Sequence, residues 1–120
     1  MHNYRQLKVW QRSLAYTVRI YREVATHFPG DERFGLISQV RRASSSIPMN
    51  IAEGSGNSSG KEFCRYLEMA KRSGYEVMTA IDIARGLQYW PDAKADELLK
   101  EADEIVAMLV GLMRSLGWEG

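Results

Sequence analysis

Apolar residues recur at intervals of three and four through most of this chain, and nowhere do they alternate with polar ones over a useful length. That periodicity excludes half-buried strands and calls for helices that each bury one stripe. The first stripe is Leu7, Trp10, Leu14, Thr17, Tyr21, Val24 and Phe28, predicting a helix over about 6–28. Asn3 and Gln6 have capping-box spacing ahead of it, and Pro29-Gly30 stops it. The second helix, about 32–54, carries Leu36, Val40, Ala43 and Ile47, with Ile37, Ser44 and Ile51 beside them. The third, about 59–89, opens on a Ser59–Glu62 capping box and carries Phe63, Leu67, Ala70, Gly74, Val77, Ile81 and Ala84. The fourth, about 92–116, carries Leu98, Ala102, Ile105, Leu109, Leu112 and Leu116 and closes at Gly117. With 120 residues, 45% of them hydrophobic, there is material for one core. The expected fold is therefore all-α: an antiparallel up-and-down four-helix bundle forming a single domain, 1–120.

One stretch resists simple assignment: "RRASSSIPMNIAEGSGNSSG", Arg41 to Gly60. Pro48 lacks an N–H and crowds the carbonyl of Ser44, so the second helix is expected to kink there. Neighbouring hydroxyls or Asn50 are the expected partners for the freed groups, which makes Ser45, Ser46 and Asn50 structural. Glu53-Gly54 then ends the helix, and "GSGNSSG" is a flexible loop by composition.

The stretch does not read as catalysis. A serine nucleophile needs a base within hydrogen-bond reach. His2 and His27 are the only histidines, and neither is paired with a carboxylate by local spacing. Bundle metal sites use Glu-x-x-His on facing helices, whereas Glu53, Glu62, Glu68 and Glu76 lack a histidine partner. Lys61 is followed by Glu62, so the glycines do not make a phosphate loop. Cys64, the single cysteine, reads as a small core residue. No catalytic residue, metal or cofactor is expected. No run approaches a membrane span, the N-terminus does not read as a secretory signal, and a cytoplasmic location is expected.

Charge is more informative. The net charge is +1, but the chain carries +6 through Arg72 and −5 from Ser73 onward. Lys8, Arg12, Arg19 and Arg22 lie opposite the first stripe; Arg41 and Arg42 lie at the shoulder of the second, and Lys61 and Arg65 on the third. These eight are the candidate contacts to phosphate, with Arg12 and Arg19 expected to weaken binding when substituted. The competing reading is charge complementarity between surfaces that meet in the bundle or an oligomer. Trp10, Tyr21, Phe28, Phe34 and Phe63 read as core; Tyr66, Tyr75, Tyr89, Trp90 and Trp118 are candidates for an interface.

The run "LISQVRRASSSIPMNIAEG" resembles the signature of the bacterial four-helix-bundle family, also called the ribosomal-RNA intervening-sequence protein family. Leu7-Lys8-Val9-Trp10, Phe28-Pro29 with Glu32, and Gly35-Leu36 with Gln39, Arg41, Arg42 and Ala43 carry the resemblance. It continues through Ser46-Ile47 and Asn50-Ile51-Ala52-Glu53-Gly54. The segment "KEFCRYLEMAKRSGYEV" matches through Glu62, Phe63, Tyr66, Leu67, Ala70 and Ser73. The resemblance makes Pro48, Asn50, Glu53 and Gly54 a structural motif and implies a ring-like homopentamer.

The family is also similar to the accessory protein of diversity-generating retroelements, a basic pentamer that binds nucleic acid and a reverse transcriptase. This chain departs from it in being nearly neutral. The implied function is a non-enzymatic homo-oligomer that binds structured RNA or an RNA–DNA hybrid as an accessory factor. Its partners would be copies of itself, RNA or DNA, and a reverse transcriptase or other protein. The alternative is a scaffold whose partner is another protein, without nucleic-acid binding.

Overall fold

The computed structural model describes residues 3–119; His2 lies outside them. Four helices follow one another: α1 (Lys8–His27), α2 (Leu36–Ser55), α3 (Gly60–Gly86) and α4 (Asp92–Ser115). They form an all-α four-helix bundle about 43 Å long, with no strand among the described residues. Neighbours in sequence pack on one another, α2 and α3 most extensively, and α4 returns to close more thinly on α1.

The helix ends follow from local chemistry. Asn3 does cap, accepting from Arg5 N at 3.2 Å, but it caps a short 3-10 turn, Tyr4–Gln6, so α1 starts two residues later than expected. Phe28 is extended, as a residue before proline must be, and ends α1. A second 3-10 turn, Gly30–Glu32, takes up the start expected for α2. Glu32 then folds back, and its Oε1 accepts from Leu36 N at 3.1 Å. Gly35 leaves space for that carboxylate, since a Cβ there would lie 2.6 Å from Glu32 Oε1.

Ser59 Oγ accepts from Glu62 N at 3.3 Å, the expected cap of α3. The far end of α3 stops three residues early because Gln88 turns left-handed, φ 60°. Tyr89 N reaches Ala84 O at 2.9 Å and Gln88 N reaches Arg85 O at 2.9 Å, a Schellman closure. The same pattern closes α4, with Gly117 left-handed and Trp118 N donating to Met113 O at 3.0 Å.

The stripes expected on α2 and α3 are all buried. On α4, Leu98, Ala102, Ile105 and Leu109 are buried, while Met113 replaces Leu112 as the deepest residue of the last turns. The stripe of α1 is different. Val9, Ser13, Tyr16, Ile20 and Val24 face the core, while Leu14 and Tyr21 stand outside. The two sets are offset by one residue over the first turns and meet at Val24, and Thr17 and Phe28 of the expected stripe are buried too. Ser13, a small polar residue at a core position, hid the register of the first turns from a hydrophobicity pattern.

At Pro48 the helix continues without a break, from Leu36 to Ser55. The carbonyl of Ser44 is met by Thr17 Oγ1 of α1 at 2.9 Å, not by Asn50 or a local hydroxyl. Asn50 instead donates to Ser46 O at 2.8 Å, and Ser45 Oγ to Arg42 O at 3.2 Å. Ser46 pairs with Ser73 across the α2–α3 contact. Gly54 does not end α2. It is buried, and a Cβ on it would come within 2.6 Å of Tyr66 Cβ, so the glycine lets α2 approach α3. The connection that follows is correspondingly short, residues 56–59, and Asn57 Nδ2 secures it to Glu53 O at 3.3 Å.

Candidate nucleic-acid interface

The eight candidate cations divide sharply by what each one meets. Arg12 of α1 donates to Glu104 of α4 at 2.9 Å. Arg19 lies 3.4 Å from Glu97 and 3.5 Å from Glu101, both on α4. Lys94 of α4 answers with Glu23 of α1 at 2.6 Å. The basic first helix and acidic fourth helix therefore meet inside one chain, along its thinnest seam. Arg12 holds the Glu104 carboxyl below its ordinary range, and Glu23 pushes the Lys94 ammonium up. Arg12 and Arg19 therefore make contacts within the bundle, the arrangement that the charge-complementarity reading expects.

Arg41 is half-buried, its guanidinium 5.1 Å from the ring centre of Tyr21. Arg65 makes a forked contact to Glu62, the shortest leg 3.0 Å, which pushes its pKa up. Lys8, Arg22, Arg42 and Lys61 are exposed and have no ion-pair partner among the described residues. Arg42 borders a concavity of about 350 Å³ between α2 and α3, with Ser46, Ser73 and Glu76. Lys61 and Arg65 border a larger groove with Arg72, described below.

The motif residues sit elsewhere. Pro48 and Gly54 are buried, Asn50 is half-buried on its own helix, and Glu53 is exposed with its carbonyl serving Asn57. None of the four lines either concavity.

Among the described residues Ser44, Ser45 and Ser46 hydrogen-bond to backbone carbonyls and to Ser73, not to a histidine. His27 does have a carboxylate neighbour, contrary to expectation: Glu23, one turn earlier, is 3.8 Å away. That pair faces Lys94 and Trp90 at the far end of α1, away from Ser44–Ser46. Cys64 is buried with its thiol toward Met113 O at 3.6 Å, and burial pushes its pKa up. Among the described residues no three histidine, cysteine or acidic side chains converge as a metal site would require. No helix is long and apolar enough to cross a membrane.

Two apolar surfaces escaped the sequence reading. Leu14, Val18 and Tyr21 form an outward stripe on α1, each about two-fifths exposed. Tyr75, Thr79, Ile83 and Leu87 form another along α3. On α3 the four-residue spacing was visible beside the core stripe, whereas on α1 Leu14 and Tyr21 belong to the stripe expected in the core. The two flank α2, with Arg41 against Tyr21 on one side and Gln39 beside Ile83 on the other. Aromatic assignments shifted as well. Phe34 is 90% exposed on the α1–α2 connection, under Arg33. Trp90 is buried against Phe28, ring centres 4.8 Å apart, because the Schellman turn swings it inward.

A family model described as "23S rRNA-intervening sequence protein" matches residues 5–111. A solved structure from Bacteroides thetaiotaomicron, titled a protein of unknown function from the S23 ribosomal protein family, superposes with a TM-score of 0.78 at 22% identity. The match covers 88% of this chain and 98% of that one. At that identity the likeness is one of fold. No curated protein matches the chain.

Proposed function

The chain belongs to the 23S rRNA-intervening sequence protein family, and on that premise we propose that it is a non-enzymatic bundle that works as a closed homo-oligomer. The observation that carries this reading is the pair of unpartnered apolar stripes, Leu14–Val18–Tyr21 on α1 and Tyr75–Ile83–Leu87 on α3. They are different surfaces separated by α2, so joining one to the other is a heterologous contact. Such contacts repeat from copy to copy and close into a ring when the rotation allows. Five copies is the number the family resemblance implies.

Analytical ultracentrifugation tests this directly. Wild type sediments as a single closed species larger than a dimer, and Val18→Glu and Ile83→Glu are each monomeric. Mixed together, the two variants form a one-to-one complex, because each retains the stripe the other has lost. A wild type that stays monomeric at high protein concentration would overturn the reading.

Nucleic-acid binding by the assembled ring is the second element, favoured by Lys8, Arg22, Arg42 and Lys61 having no acidic partner among the described residues. In a ring these charges repeat, and phosphate binding gains from multivalency and counterion release. A salt titration of binding to structured RNA and to an RNA–DNA hybrid reads this out. A ring that forms but binds neither at low salt is instead a scaffold for another protein.

A further inference from the structure

A groove of about 780 Å³ runs between the first half of α3 and the residues that follow α4. We propose that it binds a nucleotide unit of a single-stranded nucleic acid, with the base on Trp118 and phosphates on Lys61, Arg65 and Arg72. This deepens the nucleic-acid reading above and rests on it. The volume is that of an ordinary small-ligand site.

Three observations point to this ligand. First, Trp118 lines the groove: its backbone N–H donates to Met113 O at 3.0 Å in the Schellman turn, which anchors its main chain, and Lys71 Nζ lies 5.4 Å from its ring centre. An aromatic ring beside cations is what sequence-tolerant base stacking uses. Second, the cations are spread along one wall. Lys61 and Arg65 are one turn apart, about 6 Å, and Arg72 lies about 10 Å further on. A ligand with one anionic headgroup would use one of them, whereas a polyanion uses the row. The acids in contact, Glu62 on Arg65 at 3.0 Å and Glu68 on Arg72 at 4.0 Å, are surface pairs that phosphate can displace.

The third observation is Glu68 itself. Its Oε1 is 3.2 Å from Lys71, but its Oε2 is buried and meets no hydrogen-bond donor among the described residues. A rotation of this side chain into the groove would give Oε2 a donor in the exocyclic amino group of adenine, cytosine or guanine.

Fluorescence polarisation with a labelled single-stranded oligoadenylate at low salt tests the assignment on the full chain. Wild type binds it more tightly than a duplex of equal length. Trp118→Ala raises Kd about tenfold or more, and Trp118→Phe restores most of the loss. Lys61→Gln with Arg65→Gln, both exposed and outside the core, raises Kd and lowers the salt slope by about two. Should Trp118→Ala fail to fold by circular dichroism, Trp118→Phe and the Lys61/Arg65 pair decide. Oligoadenylate binding that ignores the groove variants overturns the groove and leaves the nucleic-acid reading standing. Absence of binding to any nucleic acid sinks both. Duplex bound as tightly as single strand, or polyglutamate bound with the same Trp118 dependence, overturns the ligand class.

Discussion

Thr17 Oγ1 of α1 lies 2.9 Å from the carbonyl oxygen of Ser44, the one carbonyl of α2 that Pro48 leaves without a helical donor. The same hydroxyl is 2.9 Å from Ser13 O, so its proton is shared between the two helices. Thr17→Val keeps the shape and removes the donor, leaving a buried carbonyl unmet at a cost of about 1–3 kcal/mol. In a Pro48→Ala background the new backbone N–H takes over, and the cost of Thr17→Val shrinks. Urea unfolding of the four proteins in this cycle measures the coupling.

Gly54 and Gly111 respond to alanine in opposite directions. At Gly54 the methyl meets Tyr66 Cβ at 2.6 Å and Phe63 Cδ1 at 3.0 Å, and a Cβ cannot rotate away. The α2–α3 contact must part, a loss of about 1–3 kcal/mol. At Gly111, on the exposed side of α4, nothing lies within 4 Å. Alanine there stabilises by about 1 kcal/mol through helix propensity alone. Thermal melts of the two variants separate the effects.

The contact between Glu32 and Tyr89, 2.7 Å, joins the two connections at one end of the bundle. The phenol and then Leu36 N hold the Glu32 carboxyl below its usual range. A lowered folded pKa gives stability that is present above the unfolded value and lost as pH falls through the folded one. The same bond raises the Tyr89 pKa, so its share is present below the unfolded value near 10 and is lost in stronger alkali. Glu32→Gln should flatten the acid limb of a stability–pH profile, and Tyr89→Phe the alkaline limb. Equal profiles for all three proteins would show the bond to be idle.

Arg12→Gln and Arg19→Gln should each cost about 0.2–1 kcal/mol of stability. Both should lower polyanion affinity less than Arg42→Gln, because phosphate must first displace the α4 carboxylates from these side chains. Arg42→Gln should lower affinity in a salt-dependent way while unfolding at the wild-type denaturant midpoint. Paired binding and unfolding curves distinguish the two classes.

The fold was legible where stripes were purely apolar. Val40, Ile47, Leu67 and Ile105 announce their faces by spacing alone, and the bundle follows. The register of the first turns of α1 was not, because Ser13 and Tyr16 sit in the core while Leu14 and Tyr21 sit outside it. A hydrophobicity pattern assigns a small buried hydroxyl and exposed apolar residues to the wrong sides. The roles of Gly54 and Thr17 were hidden for another reason: each is defined by a partner on a different helix, Tyr66 and Ser44. Of the candidate site, the list of cations was readable, but which are neutralised was not. That depends on α4 folding back on α1, a relation between residues some 80 to 90 positions apart. Trp118 was visible as an aromatic and Glu68 as an acid, yet only the return of the α4 terminus to α3 places them together.

The seam between α1 and α4 has a consequence for how such sequences change over time. Its contacts are charges on two separate helices, Arg12 with Glu104, Arg19 with Glu97 and Glu101, and Glu23 with Lys94. A sign change on one helix alone loses the pair, whereas the two can exchange signs together without touching the apolar core. Related chains should drift along that coupled line, reversing polarity at both ends of a pair while the bundle stays the same.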